Sequence, residues 1–593
     1  MIQMLRHRFR QDALPLLLYL LTFVIMSYPF VFHMHDHLPM QNVDTHTALW
    51  QNWWVLDALT QGHELNHSDI LFYPAGLDVT LQPRRWSTLP IWIPLYLLFD
   101  DPLAFNLTAM FGILFKAYGM YLVGLWLFKK RIPAWVSGAF YAFAATNLQQ
   151  ALQQPNTGAI EWIPWFMLAF MYGISRIKTT QQPKSIVGVM VLAGFLFAMT
   201  AYANLKIALF AMLLGGGYVV LVILFYQLWR MRVFWFAMII FGVSAIGFSA
   251  PVLIPTLQSS NLDDAISDGV VVRGGIDILS YVKAEHRRPY NYMQSIASLR
   301  GEQLEVQNIW GMSHVGIVSI AFALMGIVYA IRVDRSVTIW IILAIVFWSL
   351  SLGLEIHYKR NYLYIYWTPY RLLEHNIIFQ ILKVPWRMAL EFLFPYSLLI
   401  GYGLHYRLRT LSMNRTQWGM LILSVSMLLY GTSIFPIPMH EAPRPSYINI
   451  LAELPEGAVI DVPFGRHNAK YYMSVQRFHQ RPMIEGMIAR TPPDAYDYID
   501  ANPVLGAIRG STDLTLDDVS VADWEAAIQQ LWDDGFRYLI LHKLVPQTSL
   551  RIEYPDEWVI ELFSSFTPMY EDDEVFIYTL ESLQSDTPSA LSE

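Results

Sequence analysis

Six side chains have the type and the setting for ionic chemistry at a membrane surface: Asp44, Glu161, Arg84, Arg85, Lys206 and Arg387. Asp44 stands in Asn42-Val-Asp44-Thr-His46-Thr-Ala-Leu-Trp50-Gln-Asn-Trp53-Trp54-Val-Leu-Asp57, shortly after the first apolar run. A carboxylate at that depth can take the proton from a hydroxyl held at the membrane surface. It can equally cap the helix that follows, and position alone does not choose between the two. Glu161, in Gly158-Ala-Ile-Glu161-Trp162-Ile-Pro164-Trp165, opens a later apolar run. An acid there also suits the positive end of a helix.

The cations offer the complementary chemistry. Lys383-Val-Pro385-Trp386-Arg387 starts an apolar run with proline near its first turn, and a helix N-terminus with an arginine suits phosphate or diphosphate. Lys206 opens another run after a very tight turn, and Arg84 and Arg85 precede Trp86. Snorkelling to lipid phosphates is the alternative reading for each. His33, His35, His37 and His46, with Asp36 and Asp44 nearby, raise the question of a metal. Their alternating spacing reads as wet interface histidines rather than a compact ligand set, so no metal ligand is assigned and a divalent ion stays open. No nucleophile elbow, phosphate loop, zincin motif or dinucleotide fingerprint stands in a fitting context.

What must position these groups is a set of apolar helices. Runs of about 20 apolar residues cover 13–32, 104–128, 132–149, 159–176, 185–203, 206–228, 233–256, 313–331, 336–354, 387–405 and 417–436, eleven in all. Arg6/Arg8/Arg10, Lys129/Lys130/Arg131, Arg176/Lys178/Lys184, Arg230/Arg232, Arg332/Arg335 and Arg407/Arg409/Arg415 fall on alternate connections. The positive-inside rule makes that side cytoplasmic, with the N-terminus inside and the tail outside. The six candidate residues then share the outer plane, where cations run against the rule and ask for a reason.

The first outer loop, 33–103, is long and reads as two surface helices, one bearing Trp50, Trp53 and Trp54 and one near Leu89–Phe99. The tryptophans suit a helix among lipid headgroups. The outer loop 257–312 is also long. From 437 the composition changes, with strands expected at Ala458–Val462, Phe536–His542 and Val575–Leu580 and a helix Trp524–Asp533 capped by Asp523 and ended by Gly535. The last Ser/Asp/Thr/Pro residues read as frayed.

Composition agrees. Of 593 residues, 55% are hydrophobic and only 15% charged, far from a soluble enzyme and further from disorder. With no cysteine there is no disulfide frame and no thiolate chemistry. The net charge of −7 hides basic cytoplasmic loops and an acidic tail, and nothing supports a nucleic-acid partner.

These features resemble the GT-C superfamily of multi-spanning glycosyltransferases, which includes oligosaccharyltransferases, protein O-mannosyltransferases and lipid A aminoarabinose transferases. The resemblance rests on the long first outer loop with Asp44, its two surface helices and Glu161 near the second outer loop. The chain is also similar to bacterial multi-spanning proteins implicated in wall-polymer glycosylation, through Asp44-Thr-His-Thr with Trp53-Trp54, Phe72-Tyr-Pro-Ala-Gly76, Glu161-Trp-Ile-Pro, Val384-Pro-Trp-Arg387 with Gly401-Tyr-Gly-Leu404, and Gly535-Phe-Arg-Tyr-Leu-Ile-Leu-His542. It lacks the Trp-Trp-Asp-Tyr-Gly signature of oligosaccharyltransferases and an Asp-Glu pair after the first span.

The residues themselves read as an α-helical polytopic membrane protein, with a transmembrane domain over 1–436 and an extracytoplasmic α/β domain over 437–593. The resemblance implies an inverting transfer from a polyprenyl-phosphate sugar donor to an extracytoplasmic glycan, lipid or protein acceptor, at the plasma membrane of a bacterial cell. Asp44 would then be the general base, Glu161 would orient the acceptor or stabilise the oxocarbenium charge, and Arg387 with Lys206 or Arg84 and Arg85 would neutralise the phosphate. A flippase or transporter of lipid-linked saccharides is the rival reading. Transporters tend to place ionisable residues near the midplane, whereas here the span interiors read as nearly free of charge and the candidates gather at one face, which favours the enzyme. A non-catalytic membrane scaffold is the third.

Overall fold

The fold is given by a computed structural model, which describes residues 2–40, 44–179, 183–259, 262, 275–282, 314–358, 361–363, 365, 367–382, 384–410, 415–432, 437–488, 491–510, 519–543 and 555–585. Most of the expected outer loop 257–312, Lys383 and the last eight residues, 586–593, lie outside these.

Each apolar run contains a helix. The first part of the chain forms α1 (Ile2–Met26), α2 (Asp44–Gln61), α3 (Leu89–Phe99), α4 (Leu103–Phe128), α5 (Arg131–Phe143), α6 (Ala145–Gln153), α7 (Ile163–Thr179), α8 (Pro183–Ala203), α9 (Leu205–Tyr226) and α10 (Arg232–Gln258). Then follow α11 (Ile317–Arg332), α12 (Thr338–Ser351), α13 (Met388–Thr410) and α14 (Arg415–Thr432). Four helical stretches, Leu103–Phe128, Ile186–Ala203, Leu205–Tyr226 and Arg232–Gln258, are long and apolar enough to cross a membrane. Their lipid-side residues, such as Leu224, Ile239, Val243 and Ile246, are exposed, as hydrocarbon contact requires. The chain is therefore a helical membrane protein.

One expected run is divided. Residues 132–149 do not make a single helix, because Ala144 adopts extended geometry (φ −56°, ψ 140°) between α5 and α6. The polar sequence Thr146-Asn-Leu-Gln-Gln gives α6 an amphipathic rather than an apolar character, so it bends away from the path of α5.

Helix packing uses small residues where backbones meet. A Cβ on Gly403 of α13 would collide with the Phe322 carbonyl of α11, and one on Gly326 of α11 with the Leu399 carbonyl. Such close approach replaces the hydrophobic drive that lipid cannot supply.

The tail folds on a four-stranded sheet of β3 (Ala458–Val462), β4 (Phe536–His542), β6 (Val575–Thr579) and β5 (Tyr570–Glu571), in that spatial order. β3 and β4 are parallel and the other two pairs antiparallel. The helix expected from Trp524 begins earlier, as α16 (Val521–Asp533). Ser520 is its N-cap and Asp523 completes a capping box rather than being the cap itself. Gly535 follows with φ +96°, the left-handed geometry that ends a helix.

Two features join the tail to the first loop. β1 (His37–Pro39) pairs antiparallel with β2 (Met439–Glu441), His37 opposite Glu441. The amphipathic helix α15 (Arg466–His479) packs on α2.

Candidate active site

Helix α2 carries the site's first member. The Trp50, Trp53 and Trp54 side chains are buried under protein rather than among headgroups: they cluster with Ala469, Met473, Met487 and Ile488 of the tail. Trp50 Nε1 donates to Gln476 Oε1 at 2.7 Å, which fixes the rotation of α2 against α15. An amphipathic helix shows which face is apolar but not whether lipid or protein will cover it.

That rotation sets Asp44, the first helical residue, against the tail. Lys470 Nζ donates to Asp44 Oδ1 at 2.6 Å, from a lysine side chain only 7% exposed. Two residues along α2, His46 Nδ1 meets Ser474 Oγ at 2.9 Å, and that hydroxyl donates to the Tyr471 carbonyl. A hydroxyl has one proton, so His46 donates through Nδ1–H and keeps Nε2 as an acceptor. Burial holds the His46 imidazole well below its ordinary pKa, and the charges of His440, Arg477 and Lys470 act in the same direction.

Arg387 joins Asp44 from the other side. It ends a short 3-10 turn, Pro385–Arg387, that runs straight into α13. Arg387 is partly buried, within Coulombic range of the Asp44 carboxylate and of Tyr370, and its guanidinium stands 5.7 Å from the Trp386 ring centroid. Arg387 Nε makes no hydrogen bond among the described residues.

Glu161 forms a second group. Its carboxylate is buried within Coulombic range of Arg85 and Lys116, and Oε1 makes no hydrogen bond among the described residues. Arg85 has φ +48°, an uncommon left-handed geometry for a side-chain-bearing residue. Burial lowers the Arg85 pKa, and the Glu161 charge opposes that shift. Lys116 Nζ donates to the Asn147 carbonyl at 3.0 Å, where α6 folds back over α4.

Tyr141 links the groups, because it lies within Coulombic range of both Glu161 and Glu391. Glu391 stands one turn after Arg387 on α13 and is buried, with Oε2 unbonded among the described residues. Gln150, Gln154 and Asn156 add further buried oxygens without hydrogen bonds on α6 and the segment after it. Buried polar atoms are nearly always paired, so ordered water or a bound polar group is expected to meet these oxygens. Lys470 and Arg387 lie near Asp44, and Arg85 and Lys116 near Glu161, two cations to one carboxylate in each group, a balance that suits an added anion.

Arg84 and Lys206 belong to a neighbouring place. Arg84 donates to Asn66 Oδ1 at 2.7 Å and to the Val79 carbonyl at 3.2 Å. Burial lowers its pKa to about 10, against the pull of Asp78. It lines a cavity of about 380 Å³ with Asn66, Trp86, Tyr202 and Asn204. Asn204 caps α9 by accepting from the Lys206 backbone at 2.9 Å, and its amide donates to the Asn156 carbonyl at 2.8 Å. Asn156 donates in turn to Gln51 Oε1 of α2 at 2.9 Å. An amide chain thus ties the Lys206 turn to α2.

The structure therefore brings Asp44 to Arg387 and Glu161 to Arg85, and places Arg84 on the adjoining cavity. Lys470, Lys116 and Glu391 were missed by sequence reasoning. Lys116 and Glu391 had a usable signal, a lone charge inside an apolar run. Lys470 had none.

No family model and no curated protein sequence matches the chain. Solved structures similar to it include an archaeal oligosaccharyltransferase and a bacterial ArnT. The apo Archaeoglobus fulgidus oligosaccharyltransferase aligns at 11% identity and a TM-score of 0.45, over 90% of this chain and 69% of that one. The same organism's AglB, in complex with an inhibitory peptide and a dolichol-phosphate, gives 11% identity and a TM-score of 0.44 over the same shares, 90% and 69%. ArnT from Cupriavidus metallidurans bound to undecaprenyl phosphate gives 12% identity and a TM-score of 0.40, over 97% of this chain and 99% of that one.

Proposed function

We propose that this chain is a plasma-membrane glycosyltransferase of the GT-C type, with eleven spans, a cytoplasmic N-terminus and its tail domain outside. It moves a sugar from a polyprenyl-phosphate donor to an acceptor hydroxyl at the outer leaflet. The observation that carries this reading is the ion pair of the half-exposed Asp44 carboxylate with the buried Lys470, with Arg387 within Coulombic range of the same carboxylate. A donor anchored by its lipid cannot leave the bilayer, so the reacting groups must stand at the headgroup plane.

In this reading Asp44 accepts the proton of the acceptor hydroxyl, whose oxygen attacks the anomeric carbon opposite the phosphate. The C1–O bond to phosphate breaks, the leaving oxygen keeps the electron pair, and the anomeric configuration inverts. Arg387 and Arg85 stabilise the charge that grows on the phosphate, with Arg84 and Lys206 bordering its approach. Glu161 holds the acceptor or faces the oxocarbenium carbon. Lys470 holds the Asp44 carboxylate in place. A divalent ion at the phosphate is compatible with the carboxylates present, and no step above requires one.

The test is transfer of labelled sugar from a polyprenyl-phosphate donor by membranes carrying the chain or its Asp44→Asn variant. Parent activity with loss in the variant supports the proposal. Equal transfer by both would remove Asp44 as the base.

One observation favours a second reading. Lys116 and Glu391 are ionisable groups buried in apolar helices, as transporters also have. Movement of a labelled lipid-linked saccharide between leaflets, without any transferred product, would select that reading.

A further inference from the structure

Three residues outside this cluster converge just after the first span. His37 N donates to the His33 carbonyl at 2.8 Å and Asp36 N to the same carbonyl at 3.3 Å, so residues 33–37 close one helical turn. The spacing that reads as alternating in an extended chain is therefore i, i+3, i+4 on one face. The His33 and His37 ring centroids stand 5.1 Å apart. Asp36 Oδ1 lies 2.9 Å from His37 Nδ1 and 3.7 Å from His33 Nδ1.

We propose that His33, Asp36 and His37 form a binding site for a divalent transition metal, zinc by donor type. One ligand atom from each residue falls within 4.8 Å of the others. Tetrahedral zinc with bonds of about 2.0–2.1 Å sets its ligands about 3.3 Å apart, and the 2.9 and 3.7 Å separations bracket that edge. Two imidazoles and a carboxylate are a borderline set that suits zinc over magnesium or calcium.

The ring of His33 argues against a simple histidine–aspartate pair. Its buried Nδ1 makes no hydrogen bond among the described residues, although it is directed at a carboxylate just beyond bonding distance. A metal between them would satisfy both. The site is also built rather than incidental, since buried Asn106 of α4 donates to the Met34 and His37 carbonyls, at 2.8 Å each. β1 continues from His37 into its pairing with β2, so the turn is held from two sides. Asp36 is 46% exposed and leaves the fourth position to water. Asp44 is not among the ligands, so the site is separate from the proposed transfer chemistry and does not depend on it. A cation there would clamp the end of the first span to α4 and to the seam with the tail.

The experiment uses the full chain without a polyhistidine tag, purified in detergent, loaded with Zn²⁺ alone and desalted. The parent should retain about one zinc per chain and unfold at a higher temperature than the chelator-stripped form. His33→Ala/His37→Ala should lose both effects, while His63→Ala, a histidine outside the cluster, keeps them. Should the double variant fail to fold, Asp36→Asn serves instead and should weaken zinc binding at least tenfold. A parent that retains no zinc, or an Asp36→Asn variant that binds it as the parent does, overturns the proposal.

Discussion

Lys470 Nζ lies 2.6 Å from Asp44 Oδ1, an ion pair across 426 positions of sequence. The lysine belongs to α15 of the tail and the aspartate to the first turn of α2. The tail thus supplies a side chain to the candidate site instead of standing apart from it. Trp50 with Gln476 and His46 with Ser474 repeat the same seam along the two helices.

Asp44→Asn removes the proton acceptor while keeping the shape. Transfer should fall by about 10²–10⁴ in turnover, the usual contribution of a general base. Lys470→Ala should fall by about tenfold or more, because the carboxylate loses its partner and its aim, and Lys470→Arg should recover part of the loss. Initial rates with a polyprenyl-phosphate sugar decide this. Full activity in Lys470→Ala would reduce the pair to a structural contact.

Arg387→Ala should cost about 10²–10³ in kcat/KM for the donor if its guanidinium meets the leaving phosphate. Arg387→Lys keeps the charge but not the fork, so partial activity is expected. Product inhibition by free polyprenyl phosphate should weaken alongside. A variant that binds this product as the parent does would move the phosphate site elsewhere, with the cavity beside Arg84 the next place to look.

Much of this was legible because chemistry in a membrane is sparse. Asp44, Glu161 and Arg387 stand out as ions at the ends of apolar runs, and loop charge predicts the outer side for them. Lys116 and Glu391 carried the same signal inside their runs. Lys470 was not legible, since lysine in an amphipathic tail helix ordinarily faces water. The break at Ala144 was also hidden: apolar residues continue past it, and only the polar residues of α6 hint at the turn. The tryptophans of α2 mark an apolar face whose cover depends on the tail's docking, a long-range fact that local periodicity does not contain. The tail strands were readable because alternation and a glycine stop are local signals.

Acid should destabilise the seam. Burial lowers His440 from its ordinary 6.5 to about 4, with the His37 charge adding and its bond to the Met40 carbonyl opposing. His46 is lowered for the same reason. The unfolded chain therefore binds protons that the folded chain refuses, and stability rises with pH between about 4 and 6.5. It is fully present above that window and lost below it. At about 1.4 kcal/mol per pKa unit, His440 alone accounts for roughly 3 kcal/mol across the window. Thermal unfolding in detergent should show a fall from pH 7 to pH 5 that His46→Gln/His440→Gln flattens. An unchanged slope would place the acid sensitivity in other groups.

The Arg477 and Asp101 pair makes the sharpest stability prediction. Their charged atoms are 2.8 Å apart, with side chains 5% and 1% exposed. Asp101 Oδ1 also accepts from Trp92 Nε1 and from the Phe105 backbone, at 3.1 Å each, so α3, α4 and the tail meet on one carboxylate. Burial raises the Asp101 pKa even with Arg477 beside it. Arg477→Met should therefore cost about 3–5 kcal/mol, the usual penalty for leaving one buried charge alone. It should also raise the Asp101 pKa further, so that the folded variant binds a proton more tightly than the unfolded chain. Its deficit relative to the parent must then shrink as pH falls, the reverse of the histidine effect. Melting curves of both proteins at pH 7.5 and 5.5 test this, and Asp101→Asn/Arg477→Met should restore part of the loss at pH 7.5. A deficit independent of pH would mean that the arginine acts through packing on Phe478, whose ring centroid it approaches to 5.1 Å, rather than through its charge.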